Sequence, residues 1–138
     1  MKKIIALYGK GDSGKTSTLN LLIDLIVSEN KGIPMAIRAE EELRKDCRAV
    51  LSYKGKIIGV GTWGDSKDEV EKNCKFFKEK NCDIMFTATR TRGETCDTIK
   101  DFAFKNRFSL EWMKKKYRDT NRYSENLKQA HELFNFTK

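Results

Sequence analysis

Residues 9–16 read GKGDSGKT, set between an apolar run over residues 2–8 (KKIIALY) and an amphipathic run over residues 17–27. The spacing GxxxxGK[ST] puts Gly9, Gly14, Lys15 and Thr16 where phosphate chemistry needs them. Glycines let the backbone curl so that successive N–H groups face a β-phosphate, the lysine reaches the β and γ oxygens, and the threonine hydroxyl ligates Mg²⁺. Lys10, Gly11, Asp12 and Ser13 fill the middle of the loop and Ser17 follows it, so Gly9 to Ser17 form the expected nucleotide cradle. The flanks fit as well. Residues 2–8 predict a short buried strand. Leu19, Leu22, Ile23 and Ile26 fall at i, i+3, i+4 and i+7, which predicts a helix with one apolar stripe. Its N-terminus then faces the phosphates, where unpaired N–H groups and the helix dipole favour an anion.

Strand, loop and helix together resemble the P-loop NTPase superfamily. The resemblance is carried by the motif and, beyond it, by the pattern of elements. It implies a three-layer α/β sandwich and Mg²⁺-dependent use of a nucleoside triphosphate. At 138 residues the chain suits one nucleotide-binding domain, 1–138, with nothing left over for a separate substrate domain.

After a break at residues 28–34, where Gly32 and Pro34 punctuate the chain, a polar region carries Glu40, Glu41 and Glu42. Two β-rich runs, 48–53 and 56–60, are separated by Lys54-Gly55, a two-residue gap typical of a tight antiparallel hairpin. This hairpin is similar to the second and third strands of Ras-like GTPases, whose third strand leads to the magnesium and γ-phosphate region. Here that exit reads Gly61-Thr62-Trp63-Gly64-Asp65. Residues 66–80 predict a helix opened by a Ser66/Glu69 capping box, with Val70, Cys74 and Phe77 inward. A strand over 83–88 then runs into the loop Thr89-Arg90-Thr91-Arg92-Gly93-Glu94-Thr95. A helix to about Asn106, a strand holding Phe108, Leu110 and Trp112, a basic segment, and a helix from about Ser124 to Phe136 complete the chain.

The order β α β β α β α β α predicts a mostly parallel five-stranded sheet, one hairpin, and the first and third strands central. Ligands belong at the carboxyl ends of such strands. The 9–16 loop, GTWGD, TRTRGET and the basic segment 114–122 should converge there.

Asp65 is the best placed acid to hold magnesium beside Thr16, although its charge would also suit the N-terminus of the following helix. Thr62 is an alternate. Arg90 and Arg92 can neutralise charge on a transferred phosphoryl group, because planar guanidinium donors bind phosphate bidentately; two arginines on a solvated loop is the other reading. With Lys15 and Asp65 they make the candidate catalytic set. Trp63 can stack on a base or simply pack. Guanine specificity is not supported: Ras-like proteins carry NKxD after the fourth strand, and this chain has Thr87-Ala88-Thr89-Arg90. ATP is therefore the default nucleotide. Lys10 follows Gly9 as in the GKGGxGKT loop of plasmid-partitioning and septum-positioning ATPases, which implies a lysine reaching a partner subunit's nucleotide. Asp12 stands where that family has glycine.

The net charge of +8 favours acidic partners. Cys47, Cys74, Cys82 and Cys96 form no CxxC pair and read as reduced, partly buried thiols, and His131 should border the core. No run has membrane-spanning length, and residues 1–3 lead straight into the first strand, so a cytoplasmic protein is expected. Three functions fit: a Mg²⁺-dependent NTPase, with ATP as the nucleotide; a small-molecule or nucleotide kinase with an unidentified phosphoryl acceptor; and a nucleotide sensor docking on nucleic acid or protein through Lys114, Lys115, Lys116, Arg118 and Arg122.

Overall fold

The structure is a computed structural model, and it describes residues 2–138. Its elements are β1 (Lys3–Tyr8), α1 (Lys15–Lys31), α2 (Glu40–Leu43), β2 (Arg48–Tyr53), β3 (Lys56–Gly61), α3 (Lys67–Glu79), β4 (Ile84–Thr89), α4 (Glu94–Asn106), β5 (Ser109–Lys114) and α5 (Arg122–Phe134), with a closing 3₁₀ turn at Asn135–Thr137. The fold is α/β, a mixed five-stranded sheet with helices on both faces.

Side chains of β1 alternate between those faces, as a strand buried on both sides must. Ile4 and Ala6 join Val70 and Phe77 of α3 and Ile99 of α4, while Ile5 and Leu7 join α1 and α5. Leu19, Leu22 and Ile26 of α1 are fully buried against the sheet layer, but Leu21 and Leu25 are buried as well. The reason is α5, which packs along α1 and brings Ala130 and Leu133 into the same core. Gly32 ends α1 in the left-handed region at φ 64°, and the N–H of Ile33 returns to the Ser28 carbonyl at 3.2 Å.

The hairpin forms as expected. Lys54 (φ 49°) and Gly55 (φ 78°) are both left-handed, the type I′ requirement, and Tyr53 pairs with Lys56. Strand order is β2-β3-β4-β1-β5, with only β2 antiparallel to its neighbour. This corrects the expectation that the first and third strands share the centre. β4 takes the middle with β1 and β3 on either side, because all six of its residues are buried, whereas β3 starts half-exposed at Lys56 and Ile57. The third strand therefore does not border the strand that feeds the 9–16 loop.

Ser66 caps α3, its Oγ accepting the Glu69 N–H at 3.3 Å. The Glu69 carboxylate accepts from Arg48 instead, at 2.9 Å. The four-residue α2 lies in the stretch read only as polar, and α5 begins two residues before the expected Ser124. Cys74, Cys82 and Cys96 are buried free thiols and Cys47 is half-buried. His131 is exposed rather than at the core border, because Ala130, Leu133 and Phe134 supply the inward face of α5. Among the described residues, no helix is long and apolar enough to cross a membrane.

Candidate functional site

The chain leaves β1 through α1 on one face of the sheet and leaves β4 through α4 on the other, so the carboxyl ends of these adjacent strands open a crevice. Both loops are tied there by one acceptor. The Thr89 carbonyl takes the Gly9 N–H at 3.2 Å and the Lys15 ammonium at 2.9 Å. Lys15 also donates to the Gly9 carbonyl at 2.6 Å and sits 3.5 Å from Asp65. It is only 5% exposed. Burial lowers its pKa from the ordinary lysine value, the facing Asp65 carboxylate works against that shift, and the Arg90 charge adds to it.

The loop backbone is shaped by Asp12 (φ 58°) and Gly14 (φ 95°), both left-handed, and by Ser13, whose hydroxyl donates to the Lys10 carbonyl at 2.8 Å. Gly14 is required for space as well as for conformation: a Cβ there would lie 2.8 Å from Asn126 Oδ1 of α5. Among the described residues, no backbone N–H from Lys10 to Ser17 meets a protein acceptor. Such a run of unpaired donors at a helix start is a fitting cradle for an anion.

Beyond the loop lies a cleft of about 560 Å³, lined by Asp12 to Ser17 without the buried Ser13, by Glu40, Arg44, Asp46 and Asp65, and by Tyr117, Arg122 and Asn126. Asp46, which the sequence did not single out, accepts from Thr16 Oγ1 at 3.0 Å and from Thr62 Oγ1 at 2.8 Å. It is held there by a polar stripe on α1. Thr16, Asn20 and Asp24 follow one another at four-residue intervals, which places them along one helix face. Asn20 Nδ2 donates to the carbonyls of Leu43 and Lys45 at 2.8 and 2.9 Å, and Asp24 holds Arg38 at 2.9 Å. Burial raises the Asp24 pKa, against the pull of Arg38.

Asp65 joins the site across the crevice, pairing with Arg90 at 3.3 Å as well as with Lys15. Its approach needs Gly64, where a Cβ would come within 2.5 Å of the Ala88 backbone. Asn73, fully buried on α3, fixes the same turn by donating to the Trp63 carbonyl at 2.7 Å and accepting from Arg48 at 2.8 Å. The Arg48 guanidinium lies 4.3 Å over the Trp63 ring, so that indole is occupied by packing.

Arg90 and Arg92 part company. Arg90 lies against the loop, 3.5 Å from where a Gly11 Cβ would be, whereas Arg92 lines a separate concavity with Tyr8 and Trp112. The basic segment does reach the site, but its charges are largely engaged. Lys115 is buried, Lys116 pairs with Glu132 at 3.7 Å, Arg118 pairs with Glu125 at 3.7 Å, and Arg122 donates to the Asp12 carbonyl at 2.9 Å. Tyr117 lies between Arg122 and Lys10, whose charges stand 5.1 and 4.9 Å from its ring centre.

The donor set suits a small hard cation only in part. Among the described residues, no three His, Cys, Asp or Glu side chains cluster to hold a metal. A hydroxyl and one carboxylate, Thr16 and Asp46, stand together instead, which fits Mg²⁺, an ion usually held by one or two carboxylates with waters and substrate phosphates. No protein-family model, no curated protein and no solved structure matches this chain.

Proposed function

We propose that the chain is a small P-loop nucleotide-binding protein that takes Mg²⁺ and a nucleoside triphosphate, by default ATP, and hydrolyses it. One observation carries this reading: a buried lysine and a run of unpaired loop N–H groups face the same cleft as a threonine hydroxyl already paired with a carboxylate. The triphosphate would lie over Gly9 to Ser17, with its β-phosphate on the loop amides. Lys15, held by two carbonyls and Asp65 when no anion competes, is the cation within reach of the β and γ oxygens. The cleft has the volume of a typical small-ligand site.

Thr16 and Asp46 would hold the magnesium ion, with Asp65 as a second acid lining the same cleft. Bound there, the ion supplies charge compensation along the phosphates. Arg90, anchored by Asp65, is placed to offset negative charge that grows on the γ-phosphoryl group during transfer. Arg122, which lines the cleft against Tyr117, would offer the nucleoside a planar cationic wall.

Calorimetry with Mg·ATP on the parent and on Lys15→Ala tests the reading. The substitution should abolish most of the affinity while the circular dichroism spectrum stays unchanged. Equal affinity in both proteins would overturn it. Product analysis then separates hydrolysis from transfer: free phosphate marks hydrolysis, and a phosphorylated small molecule marks a kinase.

A further inference from the structure

The structure carries a second concavity on the α4 face of the sheet, of about 480 Å³, lined by Tyr8, Arg92, Cys96, Asp97, Lys100 and Trp112 among others. It shares no residue with the 560 Å³ cleft. Its floor is aromatic. Trp112, on edge strand β5, is 37% exposed and meets the Tyr8 ring in a T-shaped contact at 6.1 Å. The Lys100 ammonium stands 5.9 Å from the Trp112 ring. Among the described residues, neither Arg92 nor Lys100 pairs with a carboxylate, in contrast to Lys116 and Arg118. Asp97 is the one acid among the lining residues, beside these two cations.

We propose that this groove between α4 and β5 binds single-stranded nucleic acid, with a base stacked on Trp112 and the backbone phosphates on Arg92 and Lys100. An exposed aromatic platform beside uncompensated cations is the combination that recognises a single strand without reading its sequence. The ligand is a polymer because the surface continues past the concavity. Phe104 lies one helical turn beyond Lys100 on α4, is 86% exposed, and presents a second aromatic face. Lys105 and Arg107 follow at the end of α4, and Lys114 lies at the end of β5, all exposed. A mononucleotide pocket would enclose most of its ligand; here Trp112 is 37% and Phe104 86% exposed. Duplex would not serve, since its bases are already stacked. The +8 charge of the chain acts in the same direction. The proposal goes beyond the nucleotide reading and does not depend on it.

The test uses the full chain without added nucleotide and follows the fluorescence anisotropy of labelled oligo(dT) and oligo(rU) of about 15 nucleotides. Binding should weaken steeply between about 50 and about 200 mM salt. Trp112→Ala should weaken it about tenfold, in line with the loss of one stacked base, and Trp112→Phe should restore most of the loss. Lys100→Gln should flatten the salt dependence by about one counterion. Mg·ATP affinity of Trp112→Ala, measured alongside, should match the parent, so that failure here and failure of the nucleotide reading are told apart. Three results overturn the proposal: no binding at low salt, equal binding by Trp112→Ala, or equal competition by duplex DNA. Displacement of the oligonucleotide by a nucleoside monophosphate at similar concentration would overturn it too, in favour of a mononucleotide pocket.

Discussion

Thr16 and Asp46 lie 30 positions apart in the chain, yet the hydroxyl of one donates to the carboxylate of the other at 3.0 Å. On the proposed reading this pair, and not Asp65 alone, faces the magnesium ion. Asp46→Asn should therefore weaken the Mg²⁺-dependent part of ATP affinity about tenfold, the lower end of the effect of removing a group that supports a metal. Affinity measured with the metal chelated should change far less. Titration of Mg²⁺ at fixed ATP distinguishes the two, and identical titrations for parent and variant would remove Asp46 from the site.

The separation of Arg90 from Arg92 gives a second expectation. Arg90 contacts Asp65 at 3.3 Å and faces the loop, so Arg90→Ala should lower kcat about 10- to 100-fold with a smaller change in KM. Asp65→Asn, which removes the anchor of that guanidinium, should act in the same direction. Arg92→Ala should cost turnover much less, because Arg92 lines the other concavity. Steady-state phosphate release on the three variants decides this; equal losses for both arginines would return Arg92 to the reaction.

Gly64 is fixed by space. A methyl group there would stand 2.5 Å from the Ala88 carbonyl carbon, closer than any real contact, and the obstacle is backbone that cannot step aside. Gly64→Ala should destabilise the protein by about 1–3 kcal/mol, the usual cost of overpacking. The urea midpoint should fall while the slope of the transition stays the same.

Lys115 supplies a pH dependence. Burial pulls its pKa down to about 8, against the attraction of Glu125 and with the repulsion of Arg122. The unfolded chain keeps the ordinary value of 10.5. Between these values the unfolded state holds the extra proton, so this group's contribution to stability rises with pH. Below about 8 both states carry the charge and the full burial penalty applies. Lys115→Met should accordingly stabilise the fold most at neutral pH, with the gain shrinking toward pH 10.5. Parallel urea titrations across that range check the sign.

Local rules explain what was legible in the sequence. The helix after Gly9 to Thr16 announced itself by period, the strand before it by a short apolar run, and Lys54-Gly55 by turn chemistry, because each depends on residues close together in sequence. The place of β4 between β1 and β3 did not, although the unbroken apolar run IMF followed by small residues was the available sign of a central strand. Asp46 was hidden for a related reason. Its position follows from the contacts of Asn20 with Leu43 and Lys45, which no local pattern reports. The recurrence of Thr16, Asn20 and Asp24 every four residues was the visible trace, a polar line on a helix whose first three turns are largely buried. The two arginines of TRTRG were read as one unit because alternate positions of a strand share a face, but β4 ends at Thr89 and both lie in the bend before α4, where that two-residue period no longer holds.

Between Ile33 and Asp46 the only buried side chain is Leu43. The wall that carries Asp46 is thus fastened mainly by one apolar peg, Leu43, worth about 1.5–3 kcal/mol, with the partly buried Met35 and a few polar ties to α1 beside it. Opening it would expose little of the core beyond the seats of Leu43 and Met35, so local opening of this segment should cost less free energy than global unfolding. A nucleotide held over the loop would then leave at the tempo of this segment. On the proposed reading, the residence time of the ligand should then depend on Leu43 and Asn20, two side chains outside the phosphate cradle.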